Sequence, residues 1–160
     1  MRTLLLTTLF LFTAIAARAD IVRLAPDFSY PGPGSKARSL KGLRGQAVVL
    51  VVSRSAKEGD FKKQLKYLRE IYQQFASKEV VFVAAIQEGD GSPVKSDIPF
   101  ALANNAPAVA ANYGVEGDFA IVIIGRDGNI DYQTKKVLTP ERVRDVIQNS
   151  FAVQVSARKQ

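Results

Sequence analysis

The chain has no cysteine and no histidine among its 160 residues. Without a thiolate it can form neither the mixed disulfide nor the sulfenic acid through which disulfide exchange and thiol peroxide reduction pass. Thiolate metal sites and structural disulfides are excluded with them, so the fold must stand on its core alone. The missing imidazole removes the usual general base at neutral pH and the commonest metal ligand. Long apolar runs are also scarce. The most apolar stretch, Leu4 to Ala17, is about 14 residues, short of the roughly 20 that span a bilayer. There is no internal repeat, no low-complexity segment and no glycine-rich phosphate fingerprint.

That first stretch reads as a leader. Arg2 supplies a basic start and Ala17-Arg18-Ala19 fits the small-x-small cleavage rule, so residues 1–19 are expected to leave and the mature chain to begin at Asp20. No cysteine follows, which excludes a bacterial lipoprotein anchor. The destination is periplasmic or secreted, with no transmembrane segment after cleavage. Residues 20–160 suit one domain whose core hides about two-thirds of the unfolded surface, with a frayed tail over 155–160. Loss of Arg2 and Arg18 lowers the net charge from +7 to +5. The excess is dispersed, unlike a nucleic-acid arm, and no nucleic-acid partner is expected.

The mature chain is organised around residues 46–77. Ala47 to Val52 is an unbroken apolar run, mostly β-branched, which predicts a strand buried on both faces of a sheet. Phe61, Leu65, Leu68, Tyr72 and Phe75 then recur at helical steps and predict an amphipathic helix, starting at Ser55 or Asp60 as cap. Glu79 to Ile86 is a second buried strand, so strand, helix and strand make a parallel βαβ unit. Upstream, Ile21 to Leu24 reads as a short edge strand and Tyr30 to Ser35 as a loop whose prolines and glycines block a ladder. Downstream, Asp97-Ile98-Pro99 predicts a helix start, and the alanine-rich Phe100 to Tyr113 is expected as two helical pieces broken at Pro107 and ending at Gly114. Phe119 to Ile124 is a third apolar strand, Asp127-Gly128 a hairpin turn, and Ile130 to Thr134 the antiparallel return. Thr139-Pro140-Glu141 caps a last helix, with Val143, Val146, Ile147 and Phe151 as its apolar stripe.

This order resembles the thioredoxin-like fold, an α/β three-layer sandwich with a central mixed sheet and helices on both faces. Leu24-Ala25-Pro26-Asp27-Phe28 and the run from Leu40 to Leu50 look like the opening of its peroxiredoxin and TlpA-like branch. Tyr113-Gly114-Val115 and Gly125-Arg126-Asp127-Gly128-Asn129-Ile130 resemble its second half. The chain as a whole also resembles an uncharacterised bacterial family of short exported thioredoxin-like domains classed as a domain of unknown function. The resemblance places the redox Cys-x-x-Cys pair at Lys57 and Asp60, and the cis-proline at Phe119. Both halves of the redox site are therefore replaced.

Other constellations have simpler explanations. Asp127, Asn129 and Asp131 have the spacing that opens a calcium loop, but Tyr132 and Leu138 stand where such a loop needs glycine and a bidentate acid. Glu88, Asp90 and Asp97 read as solvated loop acids, and Ser53, Ser55 and Lys57 match no serine–lysine pair because Ser55 serves as a helix cap. Lys62, Lys66 and Arg69 form a basic stripe that reads as a solvated helix face and alternatively suits an anionic envelope surface or acidic partner, with Tyr67 beside it, partly buried or contacting a partner.

The expected function is an exported, non-redox binding or interaction module for an envelope protein or peptide. It would use the degenerate active-site groove of Arg54, Lys57, Asp60, Asp118 and Phe119, without a cofactor or metal. The Asp118–Phe119 bond is expected trans, because cis before a non-proline costs about 2.5–4 kcal/mol, with the Phe119 ring either on the core or across the mouth of the groove. The alternative is an enzyme of non-thiol chemistry, a hydrolase or transferase working with Glu58, Asp60 and Asp118. A shallower possibility is a stability or assembly factor that uses no groove.

Overall fold

The computed structural model describes residues 23–75 and 80–157, the side chains of Ser35 and of residues from 151 onward excepted. The leader, the Asp20 cleavage point, Ile21 and Val22 of the expected edge strand, the end of the 46–77 unit and residues 158–160 lie outside that range, as does the Phe151 side chain.

The described residues form seven strands and three α-helices: β1 Ser29–Pro31, β2 Ala37–Ser39, β3 Ala47–Ser53, α1 Gly59–Tyr72, β4 Val80–Ile86, β5 Ala101–Leu102, α2 Ala106–Asn112, β6 Phe119–Ile124, β7 Ile130–Thr134 and α3 Pro140–Ala157. The last five strands make one mixed sheet in the order β5-β4-β3-β6-β7. β3 lies at its centre, parallel to β4 and antiparallel to β6. Every residue of β3 and β6 is buried, as continuous apolar runs require of strands covered on both faces.

The period of two along these strands divides the core into two layers. Val49, Val51, Ile121 and Ile123 face α1 and α3. Val48, Leu50, Val52 and Val122 face the opposite way, toward α2 and the N-terminal segment with Phe28 and Tyr30. Helices thus cover both faces of the sheet, as expected. Among the described residues no helix is long and apolar enough to cross a membrane.

Five local readings change. First, Pro31 is no barrier to pairing: β1 and β2 form a small antiparallel hairpin, closed by Gly32 N–H donating to the Lys36 carbonyl at 2.9 Å. Second, Leu24 makes an isolated bridge with Asn129 on the β6–β7 turn rather than an extended strand among the described residues. Third, α1 begins at Gly59 with Glu58 as its N-cap, and neither Ser55 nor Asp60 caps it. The Ser55 hydroxyl is engaged locally, accepting from the Lys57 N–H at 3.2 Å.

Fourth, the stripe of α1 is rotated. Phe61, Gln64, Leu68 and Ile71 are buried, followed by Phe75, whereas Leu65 and Tyr72 are half-buried at its margin. Fifth, no helix forms between Asp97 and Asn105. Ala101–Leu102 runs as a short parallel strand beside β4, and Pro107 starts α2 rather than interrupting a helix. Proline fits the first turn because its missing N–H has no partner there anyway. At the C-terminus α3 continues as helix through Ala157, so 155–157 belongs to it. Its cap is as expected, the Thr139 hydroxyl accepting from the Arg142 N–H at 3.3 Å.

Candidate functional site

The C-terminal ends of β3 and β4 and the start of β6 meet at one end of the sheet, the place where open α/β sheets present loops to ligands. Three backbone hydrogen bonds tie the loops together there. Arg54 N–H donates to the Asp118 carbonyl at 2.9 Å, Glu88 N–H to the Arg54 carbonyl at 2.7 Å, and Gln87 N–H to the Ser53 carbonyl at 3.0 Å. Ser53 is fully buried, and its hydroxyl donates to the Ser55 carbonyl at 2.9 Å, with the Asp118 carbonyl 3.3 Å away. A serine in that role fixes backbone and is not a nucleophile.

Above this floor the Arg54 guanidinium pairs with the Asp118 carboxylate, the two side chains being 51% and 54% exposed. The pair joins the β3–α1 turn to the loop before β6, so the groove expected between them is bridged rather than open. Lys57 and Asp60 project from the same turn as exposed side chains. Asp60 lies in the first turn of α1, where a carboxylate complements the positive end of the helix dipole.

Phe119 does not join this surface. Its ring is 4% exposed and packs in the layer between the sheet and α1 and α3. The alternation of β6 explains this: Phe119, Ile121 and Ile123 share one face. No peptide bond among the described residues is cis, and Asp118–Phe119 is trans. Of the five groove candidates, four therefore remain on one rim and the fifth belongs to the core.

The basic stripe is partly engaged. Lys62 and Lys66 are exposed, but Arg69 pairs with Asp97 at 2.6 Å. Lys63 lies 5.8 Å from the Tyr67 ring. The loop acids do not converge. Asp97 is taken by Arg69, and Asp90 accepts from the Ser92 N–H at 2.9 Å. Hydrogen bonds from the Ser92 side chain and backbone hold the Asp90 carboxyl below its ordinary value. No group of three or more metal-ligating acids exists among the described residues. Asp127 accepts from the backbone and side-chain N–H groups of Asn129 at 3.0 and 2.8 Å, a turn-forming role.

Two supporting residues carry no sequence signal of their own. Gln64 is fully buried and clamps one backbone unit, its amide donating to the Leu138 carbonyl at 3.1 Å and accepting the Leu138 N–H at 2.8 Å. This ties α1, which begins at the site, to the entry of α3. Tyr113 is buried, and its hydroxyl donates to the Pro26 carbonyl at 2.8 Å, anchoring the N-terminal segment. Burial, then the nearby charge of Asp27, pushes that phenol well above its ordinary pKa.

The model of the family described as "Domain of unknown function (DUF4174)" matches residues 39–151. The chain belongs to the DUF4174 family. No curated protein matches it in sequence. Solved structures similar to this DUF4174 member include a DsbE-type thiol:disulfide interchange protein from Chlorobium tepidum, with a TM-score of 0.66 and 20% identity over 81% of this chain and 96% of that one. A mitochondrial 2-Cys peroxiredoxin from Plasmodium falciparum gives a TM-score of 0.62 at 15% identity, covering 85% and 96%. The thioredoxin domain of a thiol-disulfide oxidoreductase from Bacteroides vulgatus gives 0.61 at 18%, covering 78% and 95%. At these identities the likeness fixes the fold, which is thioredoxin-like, and nothing finer. The DUF4174 chain is therefore a thioredoxin-like domain with no cysteine.

Proposed function

We propose that the protein is an exported, non-redox binding module that meets an envelope protein or peptide at the loop end of its sheet. The contact residues are Arg54, Lys57, Asp60 and Asp118. The observation that carries this reading is the Arg54–Asp118 bridge between the β3–α1 turn and the loop before β6, seated on the Arg54 to Asp118 backbone hydrogen bond. It leaves a rigid rim with charged, exposed side chains and no thiol, a surface for recognition rather than for electron transfer. Support for export is the leader pattern of Arg2, the apolar stretch to Ala17 and the Ala17-Arg18-Ala19 motif.

A carboxylate enzyme would need Glu58, Asp60 and Asp118 to converge on one point. Asp118 instead faces Arg54, and Asp60 stands exposed on α1. The test is affinity capture from envelope extract with the processed protein as bait, beside a Lys57→Glu/Asp60→Lys variant and a Lys62→Glu/Lys66→Glu variant. A specific partner should be held by wild type and by the helix-face variant and released by the turn variant. Retention by the turn variant would refute the reading. Loss only in the helix-face variant would assign the contact to the basic stripe and an anionic envelope surface.

A further inference from the structure

At the other end of β6, one strand length or about 20 Å away, the β6–β7 hairpin and α3 border an open cleft of about 320 Å³. That volume is at the lower limit for small-ligand sites. Its two ends carry opposite charge. At the hairpin end, the Asp127 and Asp131 carboxylates and the Ser150 hydroxyl close over Gly125. A Cβ on that glycine would stand 2.6 Å from Asp131 Oδ2, 2.8 Å from Ser150 Oγ and 3.0 Å from Asp127 Oδ1. No side chain other than hydrogen would leave these three oxygens together. Burial raises the Asp131 carboxyl above its ordinary value, the Ser150 hydrogen bond opposes that, and the charge of Asp127 adds to it.

At the far end stands Arg142, its guanidinium 5.0 Å over the Tyr132 ring. It has no carboxylate partner among the described residues. Arg142 and Ser150 lie on one face of α3 with Val146 between them on the cleft wall. Eight residues of helix separate them, about 12 Å. An extended tripeptide spans about 10 Å between its ends.

We propose that this cleft is a second binding site, for a short zwitterionic peptide, with the ammonium between Asp127 and Asp131 and the carboxylate on Arg142. The two acids stand side by side at the hairpin end, where a cation offsets their mutual repulsion, and a guanidinium pairs with a carboxylate bidentately. Tyr132 and Val146 supply the apolar wall between the charged ends. The site is independent of the loop-end rim, and either can fail without the other.

The probe is triglycine, titrated into the natively processed, ¹⁵N-labelled protein and followed by amide chemical shifts. Saturable shifts are expected at Gly125, Tyr132 and Ser150, with none around Arg54 to Asp60. Triglycine acetylated at one end and amidated at the other should give no saturation. Asp131→Asn and Arg142→Gln should each weaken binding roughly tenfold, the loss of one charge-assisted contact, while both stay folded and Asp131→Asn melts at or above the wild-type temperature. Arg142→Lys should recover part of the loss. Absence of saturable shifts, equal binding of the capped peptide, or undiminished binding by both variants would overturn the proposal. Shifts confined to the loop end would overturn it too, while leaving the rim reading intact.

Discussion

Gln64 occupies a position where helical spacing asks for an apolar side chain, and it serves there because one primary amide satisfies both polar groups of Leu138. Gln64→Leu keeps the volume but strands a buried N–H and a buried C=O, each costing about 1–3 kcal/mol. Urea unfolding should show a loss of about 2–4 kcal/mol; a loss below about 0.5 kcal/mol would mean that water or a shifted backbone replaces the clamp. Asp131 makes a second prediction, with the less common sign. Its carboxyl titrates higher folded than unfolded, so the native state holds the proton more tightly. The stability linked to that proton is complete below the ordinary carboxyl pKa and is lost as pH rises through the raised value. Asp131→Asn should therefore unfold at a higher temperature than wild type at neutral pH, with the gap closing below about pH 4. Equal melting curves across that range would contradict the assignment.

Among the elements, α2 depends on one unusual residue. Asn105 is the only non-glycine described residue with positive φ, at 51°, and its side chain accepts from the Ala108 N–H at 3.4 Å. Asn105→Ala loses the cap and meets the left-handed penalty, together about 1–3 kcal/mol, whereas Asn105→Gly keeps the backbone angle and costs less. Thermal melts should rank wild type, then glycine, then alanine; alanine at or above glycine would be the contrary result.

The same element marks the limit of what the sequence tells. β3, β4, β6 and β7 were legible because apolar runs and an Asp-Gly turn carry their own signals. β5 was not, since two residues in an alanine-rich stretch have no period, and their strand exists only because β4 offers an edge. Pro107 was legible as a helix signal of undetermined sense: nothing local distinguishes a break from a first turn. The α1 stripe was misplaced by one position because Gln64 is polar, and its partner Leu138 lies 74 residues away. At the candidate site, the turn from Arg54 to Asp60 was legible from its place between strand and helix. The ion pair with Asp118 was not, because it depends on β3 and β6 being neighbours. Of the two places expected for the Phe119 ring, the alternation of its own strand selects the core.

At the scale of the molecule, a thioredoxin-like sandwich persists without a disulfide or a thiol because two apolar layers flank a fully buried central strand. What remains at the loop end is a charged rim held by backbone hydrogen bonds. If the protein acts in the envelope, N-terminal sequencing of the exported form should begin at Asp20; a membrane-bound product that retains its first residues would contradict export as a soluble domain. The most direct measurement is photo-cross-linking in living cells, with a photoreactive side chain placed singly at Lys57, Asp60 and Lys66. A discrete adduct from Lys57 and Asp60, and none from Lys66, is the predicted result; adducts from Lys66 alone, or from none of the three, would contradict a binding module that works through the loop end of the sheet.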